Sequence, residues 1–350
     1  MLRRLDVRKL TAFRVADFRF CNGVNVVIGE NGSGKSHLLR MAYAVIAAGA
    51  DRNGPSASAS PVKSTLQRTI ATKLINVMRP ESLGRLVRRR TGRQRCRLAL
   101  EFENSAFDCV ISLAAASRSE VSIDGCPTAW QDKAPVFLPP HELLTLYPGF
   151  VAVYDGHYLQ FDEIHRDTCV LLGQPPPRDS RKALASASME PIEREIGGTV
   201  ELDVNGRFYL KVPGKSRIEM PLVAEGHRKL AMLARLIATG SLIESGYHFW
   251  DEPEANLNPS LIRSVALAIL GLARDGIQVF VATHSLFLLR ELVILSKTDE
   301  FGSVAQRYFA LAISEDGVQV EQGDTADELQ TLMLLDENLQ QSDRYLALQD

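Results

Sequence analysis

The chain has 350 residues, of which 45% are hydrophobic, 23% are charged and 7% are aromatic. This composition is typical of a globular protein of one or two domains, and it excludes collagen-like, disulfide-scaffold and wholly disordered classes. Forty basic residues stand against 42 acidic ones, so the formal net charge is -2. Because the overall charge is nearly balanced, any contact with nucleic acid must come from a local basic patch.

The cysteines and the apolar runs indicate the compartment. The first nine residues alternate charged and apolar side chains, unlike a secretory signal. The apolar runs around 41–50 and 265–273 are shorter than the ~18–20 residues that a membrane span requires. The five cysteines are too far apart in the sequence to form a zinc-binding C-x-x-C pair, and their odd number does not favour a disulfide framework. They are Cys21, Cys96, Cys109, Cys126 and Cys169. We therefore expect a cytoplasmic protein with no membrane contact.

The first 50 residues have the order strand, glycine-rich turn, helix. Alternating apolar residues such as Leu5, Val7 and Phe18 predict strands, and the apolar run 24–28 is typical of a buried strand. After the turn, apolar residues recur at helical spacing from Lys35 to about residue 48. We assign residues 1–50 and 96–150 to one N-terminal unit.

Residues 51–95 are predicted to be an insertion into this unit. Residues 51–64 are small, polar and punctuated by proline, which is typical of a linker, and a helix is predicted at about 64–78. The following segment, 79–97, carries eight arginines against one acid and is interpreted as an arginine-rich arm. Beyond the insertion, residues 96–124 alternate as two or three antiparallel strands, and residues 135–138 form a short apolar strand.

The rest of the chain has a less regular part followed by a regularly alternating one. Residues 151–224 are predicted to form a helical lid that includes a hairpin at 199–212. Residues 225–350 form the C-terminal unit, and the leucines of its acidic tail predict an amphipathic closing helix. Its earlier part alternates between helices at 226–240, 259–274 and 286–295 and strands at 246–251 and 277–282. Such alternation is typical of an α/β protein with a parallel, doubly wound sheet.

The segment Gly29–Ser36 fits the pattern G-x-x-x-x-G-K-[ST] and lies between a predicted strand and a predicted helix. Its glycines let backbone N–H groups surround a polyphosphate, and the helix points its positive end at the same anion. Lys35 would reach the β- and γ-phosphates and Ser36 a magnesium ion, so ATP and Mg²⁺ are the expected ligands. The residues predicted to contact the nucleotide are Glu30, Asn31, Gly32, Ser33, Gly34, Lys35, Ser36 and His37.

A pair of carboxylates follows the predicted strand 246–251. The strand ends at Asp251 and Glu252, and Pro253 prevents it from continuing. At the carboxyl edge of a parallel sheet, Asp251 can meet the magnesium held by Ser36 while Glu252 polarises the attacking water. The predicted metal ligands are therefore Ser36 and Asp251.

The next predicted strand, 277–282, ends close to His284. An imidazole at the same sheet edge could contact the γ-phosphate. A histidine at a strand end is more often an ordinary hydrogen-bonded residue, but its shared edge with the other motifs favours a functional role. The predicted catalytic residues are Lys35, Glu252 and His284.

The order of Gly29–Ser36, Ala224–Leu230, Asp251–Pro259 and Thr283–Ser285 resembles the ABC-type ATPase head of RecF-like, SMC-like and overcoming-lysogeny-defect (OLD-like) ATPases, often described as AAA family ATPases. The opening strands and the phosphate loop are similar to those of the same proteins. The resemblance implies a P-loop NTPase fold of the α/β class. Its parts would be a doubly wound, mostly parallel sheet, an antiparallel N-terminal sheet and a helical lid.

The resemblance also implies that two heads bind ATP between them. Glu225 and Gly226 would form the signature loop that contacts the γ-phosphate held by a second subunit, and Asn258 would lie in the D-loop at the dimer interface. The departures from the family pattern are Ala224 in place of the usual serine, and His141 and Glu142 in place of a Q-loop glutamine.

We expect a slow, regulatory ATPase that dimerises around Mg-ATP and controls a partner effector protein encoded nearby. The likeness to OLD-like ATPases implies prokaryotic defence against phage as the setting. The alternative is a RecF-like, nucleotide-gated DNA-binding protein of DNA repair, in which Arg79–Arg97 would meet DNA or RNA phosphates. The same segment could instead be a solvated helix face or a docking surface for an acidic partner. The nucleic-acid candidates are Arg85, Arg88, Arg89, Arg90 and Arg93.

Overall fold

The computed structural model of the chain describes residues 1–50, 60–88, 94–156, 159–176 and 190–330, together with residues 341, 344, 345 and 347. Within these ranges, no helix combines the length and the apolar character that crossing a bilayer requires. Several of the predicted segments fall partly outside them, the arginine-rich arm and the lid region included. The linker at 51–64 is described only from residue 60, and the tail predicted to close the fold as a helix is described continuously only to residue 330.

A six-stranded sheet of order β14-β13-β3-β12-β11-β7 forms the centre of the molecule. The five strands from β13 to β7 are parallel to their neighbours, and β14 joins the edge antiparallel to β13. The strands are β3 (Val24–Gly29), β7 (Pro135–Leu138), β11 (Tyr247–Asp251), β12 (Gln278–Thr283), β13 (Gln306–Ser314) and β14 (Gly317–Gly323). The near-continuous burial of β7, β11 and β12 is typical of parallel strands covered on both faces.

Two cores cover the two faces of this sheet. Successive side chains of a strand point to opposite faces, so Phe249 lies in one core and Trp250 in the other. The first core contains the helices α1 (Lys35–Ala50) and α2 (Lys63–Met78). The second contains α6 (Glu225–Ala238), α7 (Pro259–Arg274) and α8 (Leu286–Ser296). This arrangement confirms the predicted doubly wound sheet.

A five-stranded antiparallel sheet packs on the first core, in the order β2-β1-β4-β5-β6. Its strands are β1 (Leu2–Leu10), β2 (Phe13–Arg19), β4 (Arg95–Phe102), β5 (Cys109–Ala114) and β6 (Ser122–Gly125). The described part of the predicted insertion also belongs to this core. Helix α2 buries Leu66, Ile70 and Leu74 beside α1, and Val87 forms a β-bridge with Leu10. Residues 60–88 therefore pack on the unit that we expected them merely to interrupt.

Helices and a small sheet occupy the region predicted to be a lid. The helices are α3 (Tyr147–Asp155), α4 (Glu163–Leu172) and the helical residues 190–196 (α5). The hairpin expected at 199–212 consists of β8 (Thr199–Leu202) and β9 (Phe208–Lys211), and the short strand β10 (Ile218–Glu219) extends it to three strands. Leu172 and Phe208 lie in the second core, so this region packs against α6 rather than standing apart.

Strands β13 and β14 were not predicted. Strand β13 lies beside β3 and pairs Ala310 with Ile28, which places it next to the strand that leads into the glycine-rich turn. Its alternating sequence is interrupted by charged and small residues, and its partner strand lies almost 300 residues earlier in the chain. Strand β13 also pairs along its length with β14, the next segment of the chain.

Candidate functional site

The glycine-rich turn between β3 and α1 has the backbone of a phosphate-binding loop. Gly32 and Gly34 have φ angles of 86° and 94°, a region that L side chains rarely adopt. A Cβ atom on Gly34 would lie 3.1 Å from the Phe13 ring, whereas one on Gly32 would meet nothing within 4 Å. Ser33 Oγ donates to Glu30 O at 2.8 Å and closes the turn. Gly32 therefore faces open space at the start of α1, where free N–H groups favour an anion.

Lys35 lies inside this turn. Its Nζ donates to Gly29 O at 2.6 Å and to Glu30 O at 2.9 Å, and the side chain is buried. Burial lowers the pKa of Lys35, and the negative charges of nearby carboxylates, Glu252 first among them, oppose this effect. The ammonium group is thus held beside the strand-end carboxylates, on carbonyl oxygens that a phosphate could replace.

Ser36 and Asp251 are in direct contact although 215 residues separate them in the chain. Ser36 Oγ donates to Asp251 Oδ1 at 2.9 Å. The register explains the meeting, because β12 pairs Ala282 with both Val27 of β3 and Asp251 of β11. Burial raises the pKa of Asp251, while the Ser36 hydroxyl opposes this rise by donating to it. A buried carboxylate and a hydroxyl therefore lie together at the edge of the sheet.

Glu252 and His284 also meet at this edge. His284 Nδ1 lies 3.2 Å from Glu252 Oε1 and 3.7 Å from Glu254 Oε1. The two carboxylates differ in access to solvent, since the side chain of Glu252 is 28% exposed and that of Glu254 is 7% exposed. Glu254 accepts hydrogen bonds from Thr283 Oγ1 at 2.6 Å and from the backbone N–H of His284 at 3.3 Å.

Sequence reasoning did not select Glu254. The sequence feature that could have indicated Glu254 is its position two residues after Glu252, because Pro253 ends the strand and starts a turn. The contacts show that Glu254 ties that turn to the end of β12.

The remaining predicted nucleotide contacts lie around the starts of α6 and α7. Gly226 is closely packed, because a Cβ atom there would lie 2.9 Å from Leu261 Cδ1. Glu225 is exposed and its Oε1 accepts from Asn256 Nδ2 at 2.8 Å. Asn258 Oδ1 accepts from the Leu261 N–H at 3.1 Å, so Asn258 caps α7. His37 is exposed at the start of α1.

Glu142, at the position where a Q-loop glutamine is expected, is buried and forms an ion pair. Its Oε1 lies 2.9 Å from Arg228 Nε of α6 and also accepts from Thr145 Oγ1 at 2.6 Å. The neighbouring His141 is exposed. The loop after β7 is therefore joined to the first turn of α6 by Arg228, a residue that sequence reasoning did not select.

Lys229, the next residue of α6, was also missed. Its side chain is buried, and its Nζ donates to Glu252 O at 2.9 Å and to Ala255 O at 3.1 Å. Burial lowers the pKa of Lys229 to about 8, against the opposing influence of nearby carboxylates. No sequence pattern distinguishes this lysine from an ordinary surface residue of an amphipathic helix.

The arginine candidates that the structure describes contact their own chain. Arg85 Nη2 lies 2.8 Å from Glu81 Oε2, and Arg88 Nη1 donates to Ala12 O at 2.5 Å. Arg97, in β4, pairs with Asp6 at 3.0 Å. The other three candidates lie outside the described residues: Arg89, Arg90 and Arg93.

Comparison with known proteins gives one family match. The family model described as "AAA domain, putative AbiEii toxin, Type IV TA system" matches residues 151–290, which include the Asp251 and His284 strand ends but not the glycine-rich turn. No curated protein sequence matches the chain.

Two solved structures of Smc heads are similar to nearly the whole chain. An Smc head bound to the C-terminal winged-helix domain of ScpA aligns with a TM-score of 0.58 at 14% identity, covering 93% of this chain and 98% of that one. An Smc head with an extended coiled coil, bound to the C-terminal domain of ScpA from Pyrococcus furiosus, aligns with a TM-score of 0.52 at 14% identity, covering 96% and 98%. The chain therefore has the P-loop NTPase fold of the Smc heads.

Proposed function

We propose that the protein binds Mg-ATP at the carboxyl edge of its central sheet and hydrolyses it. The observation that carries this proposal is the 2.9 Å contact between Ser36 Oγ and Asp251 Oδ1, beside Lys35 and Glu252. Four side chains from two distant segments thus supply a phosphate ligand, two metal ligands and a candidate base.

The donor set at this edge fits a magnesium ion. Mg²⁺ favours oxygen ligands and is usually held by one or two protein groups together with phosphate oxygens. Asp251 is buried, and Ser36 Oγ donates to it. A cation bound there would interact with the Asp251 carboxylate more strongly than the Ser36 hydroxyl does. Ser36 and Asp251 would hold the ion, which supplies neutralisation of charge on the β- and γ-phosphates.

The chain's own groups account for binding of the triphosphate. Lys35 Nζ donates hydrogen bonds to two carbonyl oxygens of the turn. Phosphate oxygens would replace these carbonyl oxygens as acceptors. The helix α1 begins at Lys35 and directs its free N–H groups toward the same anion. Gly32 leaves the approach open.

Glu252 is the better candidate for the general base. Its side chain is partly exposed, so water can reach it, whereas Glu254 is nearly buried and accepts from Thr283 and His284. His284 lies beside the Glu252 carboxylate and close to the position where charge would develop on the γ-phosphate. In this assignment Glu252 takes the proton of water, while Lys35 and His284 stabilise the developing negative charge.

A second head would complete the site. Leu222, just before α6, is 75% exposed, and Ala224, Asn256 and Asn258 are also exposed, which leaves this surface available for a second subunit. The negative charge of Glu225 would repel a phosphate. The backbone at the start of α6, around Gly226, is therefore the part that would meet the γ-phosphate in trans.

The nucleotide cycle would act on a partner protein. The match to a family described as a putative toxin of a type IV toxin–antitoxin system supports a setting in which a toxic activity is controlled. The Smc heads are bound to ScpA domains, which supports a protein partner in general. The RecF-like alternative is weakened at two positions only, because Arg88 donates to Ala12 O and Arg97 pairs with Asp6 within the chain.

The test of the proposed activity is the Glu252→Gln variant, with Glu219→Gln at an exposed site as the matched control. We expect the wild-type protein and the control to release phosphate from ATP. Glu252→Gln should bind ATP, accumulate as a dimer in light scattering, and turn over about 10²- to 10⁴-fold more slowly. Turnover of Glu252→Gln at the wild-type rate would show that this residue is not the base.

The partner proposal has a separate test. Coexpression with the product of the adjacent gene should give a complex of defined stoichiometry whose stability differs between ATP and ADP. Absence of that complex, together with DNA binding that weakens steeply with salt and with Arg85→Gln or Arg88→Gln, would favour the DNA-binding alternative instead.

A further inference from the structure

The turn that carries Glu252 has a strained backbone. Glu252 and Asn256 have φ angles of 47° and 62°, in the left-handed region. For a residue other than glycine such a conformation is unfavourable and persists only where surrounding contacts impose it. Asparagine tolerates this region better than glutamate does. Contacts must therefore hold Glu252 in place.

Both backbone polar groups of Glu252 are occupied. Its N–H donates to Ala282 O at 2.8 Å, which extends the β11–β12 ladder by one residue. Its carbonyl oxygen accepts from Lys229 Nζ at 2.9 Å and from the Ala255 N–H at 3.0 Å. Lys229 Nζ also reaches Ala255 O at 3.1 Å, so one ammonium group spans the turn.

Lys229 reaches this turn from a different element. It lies near the start of α6, three residues after Gly226, and is only 2% exposed. A buried ammonium requires hydrogen bonds to offset the loss of water. Here the carbonyl oxygens of Glu252 and Ala255 accept them. A second tie joins the same two elements, since Asn256 Nδ2 donates to Glu225 Oε1.

We propose that Lys229 is a positioning residue that sets the direction of the Glu252 carboxylate and makes it depend on the placement of α6. The inference rests on the proposed function, because it concerns the base of the same reaction. Lys229 contacts backbone oxygens and not the reacting atoms. Movement of the start of α6, where a second subunit's nucleotide would bind, is transmitted through Lys229 to Glu252 in the same subunit.

A purely structural role is the competing explanation, and helix α6 contains a matched control for it. Arg235 is also buried and also donates to two backbone carbonyl oxygens, Leu172 O at 3.0 Å and Gln174 O at 2.9 Å. Those carbonyls belong to the lid region and not to the turn that carries Glu252. Lys229→Met and Arg235→Met therefore each remove two hydrogen bonds to backbone carbonyls, but only Lys229→Met removes bonds to the turn that carries Glu252.

The experiment measures ATP turnover, ATP affinity and melting temperature for both variants. We expect both to melt at lower temperature than the wild type. Lys229→Met should lower kcat by about 10- to 100-fold with less than about a threefold change in ATP affinity, as expected when binding is unaffected and only the chemical step is lost. Arg235→Met should leave kcat within about threefold of the wild type.

A double-mutant cycle measures whether Lys229 acts through Glu252. If Lys229 acts through Glu252, Lys229→Met should slow the wild type but not the Glu252→Gln variant. Should Lys229→Met fail to fold, Lys229→Arg, which keeps the charge but moves the donors, replaces it in the same cycle. Equal kcat values for Lys229→Met and Arg235→Met, or additive effects in the cycle, would overturn the positioning role. A wild-type rate for Glu252→Gln would instead refute the proposed function.

Discussion

A buried histidine should make the stability of the protein fall in mild acid. His248, in β11, is fully buried, and among the described residues neither of its ring nitrogens has a hydrogen-bond partner. Burial lowers the pKa of His248 to about 3, from an ordinary value of 6.5. Between these values the unfolded chain binds a proton at this residue and the folded chain does not. The free energy of unfolding therefore decreases as the pH falls below 6.5.

The size of the effect follows from the same linkage. One proton bound only by the unfolded state changes the free energy of unfolding by about 1.4 kcal/mol per pH unit. From about pH 6 to pH 4.5, His248 alone should remove roughly 2 kcal/mol. His248→Leu, which is uncharged and of similar volume, should lack this contribution. It should also be no less stable near neutral pH, because two unpaired buried nitrogens are removed.

Denaturant unfolding at a series of pH values measures this slope directly. The informative quantity is the difference between the wild type and His248→Leu, since the carboxylates titrate equally in both. His141→Leu, at an exposed position, is the matched control and should retain the wild-type slope. Parallel pH profiles for the wild type and His248→Leu would refute the reasoning, because they would mean that the folded protein accepts a proton at this site.

Two further predictions concern the nucleotide site. Lys35→Ala should abolish binding of ATP, measured by calorimetry, because it removes the ammonium group from the phosphate-binding turn; unchanged affinity would contradict the assigned role. Asn258→Ala should lower the free energy of unfolding by about 1 kcal/mol through loss of the α7 cap, whereas Asn258→Asp should preserve stability. If Asn258→Asp nevertheless lowers ATP-dependent dimerisation in light scattering, the D-loop role of this residue is separate from capping.

Local patterns were sufficient to predict much of the fold. The helix at Pro259–Arg274 and the strands on either side of it are predicted because helical and strand patterns alternate over a short range. The convergence of Ser36 and Asp251 could be predicted as well. It depends only on the rule that parallel strands bring their carboxyl ends to one edge of a sheet.

Contacts between distant segments that no motif marks could not be predicted. Lys229 and Arg228 look like the polar face of an amphipathic helix, and only the packed structure brings them to Glu252 O and to Glu142. The position of strand β13 beside β3 is likewise a pairing with a distant segment. Propensity and periodicity describe a segment by itself, so they carry no information about which buried carbonyl or carboxylate a side chain will meet.

In the proposed site, Ser36 and Asp251 bind one metal ion on one triphosphate. The most direct measurement is the gain in ATP affinity on adding Mg²⁺, determined for the wild type, Ser36→Ala, Asp251→Asn and the double variant. We predict that each single variant loses most of the gain and that the double variant loses little more, a coupling on the order of 1–3 kcal/mol. Fully additive losses, or a gain that survives in Asp251→Asn, would contradict the account.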